Sequence, residues 1–126
     1  MIAEDREHLV KTWIEHYHKW RSQDKMPEET LWASVKLDKI VDYDPELAWE
    51  LILQILATVR SDKIYPVLAA GPLENLLVYH GEKYIERVEK QARQDPAFNM
   101  LLGGVWRNSI AKDVWRRVEK ARKTVW

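Results

Sequence analysis

The chain has 126 residues, 20 Lys or Arg balanced by 20 Asp or Glu, 46% hydrophobic content, and seven Trp against a single Phe. That size suits one domain, residues 1–126, burying roughly two-thirds of the surface its unfolded form exposes, and the composition excludes disorder. The lack of Cys excludes disulfides, thiolate metal sites and cysteine nucleophiles; a charged N-terminus and no apolar run near the roughly 20 residues of a membrane span predict a soluble, cytoplasmic protein.

Residues 4–22 predict a first helix, with Leu9, Trp13, Tyr17 and Trp20 spaced by three or four and Val10 and Ile14 widening the stripe. Pro27 suits the first position of a second helix, whose inner face is Ala33, Leu37 and Ile40 or Val41. In "DYDPELAWELILQILATVRSD", Asp44 is a natural N-cap and Pro45 a natural first residue. Only Glu50, Gln54 and Thr58 are polar between Leu47 and Val59, which predicts a central, buried helix.

Further on, "KIYPVLAAG" predicts a short element stopped by Gly71, and Pro72 a new helix that Gly81 closes. A charged helix with the seam Tyr84, Ile85, Val88 and Ala92 follows, and Asp95-Pro96 starts another as Asp44-Pro45 does. After Gly103-Gly104, Asn108 or Ser109 can cap a last helix with Ile110, Val114, Val118, Ala121 and Val125 inside. No strand periodicity occurs. The expected fold is all-α: a compact array of six to eight short antiparallel helices, with the paired Asp-Pro starts hinting at HEAT-like hairpins.

No sequence constellation demands catalysis. Glu74 and His80 share one short segment, but six residues on a regular helix set them about 120° apart. Glu74 is expected to serve backbone N–H groups at a helix start, and His80 the last carbonyls before Gly81. The first helix carries His8, His16 and His18; "IEHYH" lacks the spacing of a zinc motif, so solvated histidines are expected. Asp38, Asp42, Asp44, Glu46 and Glu50 can gather at one end of the central helix, where a solvated rim is expected. Gly103-Gly104 lacks the preceding strand of a phosphate cradle. No cofactor and no metal are expected, and the protein is not expected to be an enzyme.

Residues 105–126 hold seven Lys or Arg against Asp113 and Glu119, a net +5, which leaves −5 on the remainder. The basic end either meets nucleic acid or docks, on a protein or on the chain's own acidic body. Trp106 heads the apolar stripe and is expected to be buried. Trp115 and Trp126 lie off it, and with Arg116, Arg117 and Lys120 they are candidate partner-binding residues, since Trp and Arg dominate interface hot spots. Glu74 and His80 join them as candidates for a docking surface.

The stretches "LWASVKLDKIVDYDPELAWELILQIL", "LAAGPLENLLVYHG" and "DPAFNMLLGGVW" resemble a family of small bacterial proteins classed as a domain of unknown function. The resemblance rests on a D-P-E-x-A-W helix, an A-G-P-L-E turn followed by H-G, and a closing D-P-x-F, over about residues 31–106. It implies an all-helical fold and a bacterial or phage origin, and carries no catalytic set. The expected function is a non-catalytic protein-binding module of the inhibitor or immunity type that occludes a partner surface. Nucleic-acid binding through the C-terminal helix is the alternative.

Overall fold

The computed structural model describes residues 1–126 and is all-helical. Its helices are α1 (Ala3–Ser22), α2 (Leu31–Tyr43), α3 (Pro45–Thr58), α4 (Tyr65–Leu68), α5 (Glu74–Gln94), α6 (Pro96–Leu102) and α7 (Lys112–Ala121). A 3-10 turn, Glu28–Thr30, leads into α2, and a π turn, Ala69–Leu73, joins α4 to α5. No helix is long and apolar enough to cross a membrane.

The two Asp-Pro starts fold as their chemistry dictates. The Asp44 carboxylate accepts from the Leu47 N–H at 3.3 Å, and that of Asp95 from the Ala97 N–H at 3.0 Å, each with proline at the first helical position. Helix α3 buries Leu47, Ala48, Trp49, Leu51, Ile52, Ile55 and Leu56. It belongs to one continuous cluster of 31 buried apolar residues. Helix α5 packs on α2, α3, α6 and α7, so the helices share a single core.

Several expected boundaries fall elsewhere. Pro27 lies ahead of the 3-10 turn, with extended backbone, and not inside a helix. Gly71 stops nothing: the chain stays helical through Pro72, whose missing N–H and bulky ring are accommodated by widening one turn, so that the Glu74 N–H reaches back to the Ala69 carbonyl. Gly81 does not close α5 either. The helix kinks one residue earlier, at His80 (φ −133°, ψ 21°), and runs on to Gln94. Gly81 serves packing, because a Cβ there would come within 3.0 Å of the Val114 side chain on α7. The last helix starts at Lys112, so Ile110 is buried ahead of it, and Val125 is 69% exposed beyond it.

The histidines of α1 are not all solvated. His8 stacks on Trp32, with ring centroids 5.2 Å apart. His16 is fully buried at the corner where α1 meets the 3-10 turn, its Nδ1 2.9 Å from Thr30 Oγ1 and its Nε2 without a partner.

Candidate interaction face at the C-terminal end

Beyond α7, residues 122–126 form a strap across the end of α6. The Lys123 N–H donates to Asn99 Oδ1 (2.8 Å), while Asn99 Nδ2 donates to the Ala92 and Ala121 carbonyls (3.1 and 3.0 Å). The Trp126 N–H bonds the Gly103 carbonyl at 3.0 Å, and its indole Nε1 the Met100 carbonyl at 2.7 Å. The Gly103 carbonyl has no other donor, while the Met100 carbonyl is shared with the Gly103 N–H at 3.1 Å. The approach is so close that a Cβ on Gly103 would strike the Thr124 carbonyl, and one on Gly104 the Trp126 ring. The glycine pair is a seat for the strap.

Next to the strap, Glu74 holds the turn that leads into α7. Its carboxylate is buried and accepts from the Trp106 N–H (3.3 Å) and the Asn108 side-chain amide (2.8 Å). Asn108 is the one non-glycine residue in the left-handed region, at φ 40°. Glu74 therefore serves a distant turn and not its own helix start. On this turn Trp106, expected inside, projects outward at 65% exposure. Val125 and Trp126 are exposed beside it, at 69% and 43%.

Between them lies a hollow of about 230 Å³ walled by Trp106, Trp115 and Trp126. Arg122 lies over the Trp115 ring, 4.8 Å from its centroid, and donates to the Val105 carbonyl at 3.1 Å. Arg107 stands at the rim, its Nε on the Ile110 carbonyl at 3.3 Å. A second hollow of about 550 Å³, lined by Tyr65, Pro66 and Met100 with Asp62 and Thr124, shares Trp126 as its wall.

The predicted site residues divide between this face and other duties. Trp115 and Trp126 meet in the first hollow. Arg116 and Lys120 are exposed on α7, where Asp113 and Glu119 fall on the same outer side and interrupt the positive charge. Arg117 is committed to Glu89 on α5, Nε to Oε2 at 2.9 Å; the pair holds the Glu89 carboxyl below its usual range and raises the Arg117 guanidinium. His80 lies elsewhere: its Nε2 bonds the Val41 and Asp42 carbonyls at 2.9 and 3.1 Å, capping α2 and not its own helix. No hydrogen bond links Glu74 to His80.

Three of the acidic set are likewise spent on local partners. Asp44 caps α3, Glu50 pairs with Arg6 at 2.7 Å, and Glu46 pairs with Arg87, which lowers the Glu46 carboxyl. No three His, Asp or Glu side chains come together in a metal-holding group. The residues that spacing missed are Trp106, Val125 and Arg122 in the first hollow and Tyr65, Pro66 and Met100 in the second; Gly103-Gly104 was the one local sign of close approach.

A family model for a family of unknown function matches residues 20–125. The chain belongs to DUF6869. The match reaches beyond the 31–106 stretch of the sequence resemblance, so the DUF6869 unit takes in the end of α1, the whole of α7 and most of the strap. No curated protein and no solved structure matches the chain significantly.

Proposed function

We propose that this DUF6869 chain is a non-catalytic binding module of the inhibitor or immunity type, which occludes a protein partner through the tryptophan face beside the strap. One observation carries the reading: Trp106, Val125 and Trp126 stand exposed side by side around a hollow that also holds a stacked arginine. Exposed aromatic and arginine side chains grouped at a concavity are the composition of interface hot spots. Nucleic acid is the weaker occupant, because Asp113 and Glu119 break the cationic line along α7 that a phosphate backbone requires.

The experiment is affinity capture from the source organism with three baits: the native chain, Trp106→Ala with Val125→Ser, and a control altered on another face, Trp32→Ala. A stoichiometric protein retained by the native chain and the control, but lost from the double variant, is the expected result. A partner retained equally by all three baits, or recovery of nucleic acid alone, overturns it.

A further inference from the structure

The two hollows that share Trp126 form one band across the C-terminal end, running from Tyr65 and Pro66 over Met100 and Trp126 to Trp106. Met100 is 47% exposed, so the middle of this band is open to solvent. Its ends differ in charge. Asp62 marks one end, while Arg107 and Arg122 mark the other, and neither arginine lies within ion-pair distance of a carboxylate of this chain. The ridge between the hollows is itself non-helical chain. Lys123 and Trp126 spend their amides on Asn99 and Gly103, whereas the amides of Thr124 and Val125 donate to no protein group.

A helix laid on this band would leave those two amides unanswered, because its carbonyls are spent within it. An extended segment offers carbonyls to the amides and alternate side chains to the hollows. The 230 Å³ hollow, three of its walls indole rings, accommodates one bulky apolar side chain. Carboxylates next to it in the segment would meet Arg107 and Arg122, where charge-assisted hydrogen bonds are about twice as strong as neutral ones.

We infer that the partner binds as an extended acidic segment, with one large apolar side chain seated between Trp106 and Trp126 and its carboxylates on Arg107 and Arg122. This rests on the binding-module reading above and specifies the kind of partner.

The test is selection of random 12-residue peptides displayed on phage against the intact chain, followed by fluorescence-anisotropy titration of labelled winners. The expected outcome is a consensus of two or more Asp or Glu flanking an aromatic or long aliphatic residue. Trp106→Ala should weaken such a peptide by tenfold or more, in the hot-spot range, and Arg107→Glu should also weaken it. Raising the salt should lower affinity, as screening of exposed charges requires. Trp106 and Arg107 are exposed, so their variants should keep the native fold, which circular dichroism checks.

Winners whose acidic residues can be exchanged for Lys without loss overturn the acidic segment while leaving the tryptophan face in place. Winners that bind the Trp106 variant as well as the native chain overturn the face itself. A selection with no consensus, set against a partner captured by the native bait and lost by the double variant, overturns the extended mode and keeps the binding module.

Discussion

Mild acid should loosen the corner between α1 and the 3-10 turn through His16. Thr30 Oγ1 lies 2.9 Å from His16 Nδ1 and 3.3 Å from the Pro27 carbonyl, so Nδ1 is the ring nitrogen with a partner. Nε2 is buried and unpartnered, and the rings of Tyr17 and Trp20 lie with their centroids 4.8 and 5.6 Å from that of the imidazole. Burial pushes the imidazole below its ordinary 6.5, opposed more weakly by the Pro27 backbone and by the Glu29 carboxylate. Glu15 and Glu29 are drawn to Lys19, at 2.9 and 3.5 Å, and no carboxylate lies within ion-pair distance of the His16 ring.

The unfolded chain takes up a proton at His16 near pH 6.5, and the folded chain does so only at lower pH. Stability is therefore complete above 6.5 and falls as the pH drops toward the folded value. While His16 stays neutral in the fold, each pH unit below 6.5 costs up to about 1.4 kcal/mol. Glu29, Glu46 and Glu89 are held below 4.5, so their losses come at lower pH. Urea unfolding followed by Trp fluorescence between about pH 8 and 5 should show this slope in the native chain and a flat response in His16→Phe. Parallel curves, or an NMR titration placing folded His16 at or above 6.5, would refute the reasoning.

Other outcomes follow from the same packing. Glu74→Ala leaves the Trp106 N–H and the Asn108 amide without their acceptor, a loss of about 1–3 kcal/mol, visible as a lowered Tm and faster hydrogen exchange at Trp106. Ile52→Ala opens a cavity at a fully buried position of α3 and should cost about 2–5 kcal/mol in chemical denaturation. Gly104→Val places side-chain atoms where the Trp126 ring lies, so the strap should lift, with a red shift in Trp emission and earlier proteolysis after Ala121.

The helices that could be read locally were those whose start signals act locally. Asp44-Pro45 and Asp95-Pro96 fold as predicted because a cap bonds an amide two or three residues away. Gly71, Pro72 and Gly81 have the same appearance in sequence, yet long-range packing decides their use: Gly81 is small for Val114, and Pro72 widens a turn instead of starting one. His16 carried a sign that the aromatic stripe overshadowed, since it stands three residues after Trp13 and seven after Leu9 on the same inner face. Trp106 carried none, because the turn on which it stands is held by the carboxylate of Glu74, 32 residues earlier.

The π turn at Ala69–Leu73 bears on which insertions and deletions this chain can survive. Each residue advances a helix by about 100°, so the widened turn sets the phase between α4 and everything after it. Deleting one residue there would give a more regular helix and a worse protein. Leu76, Leu77, Ile85 and Val88, all buried, would swing together away from the core, and the carboxylate of Glu74 would leave the turn that carries Trp106. Length variation is better tolerated at the exposed stretch Gln23–Lys25, where no helical phase is at stake.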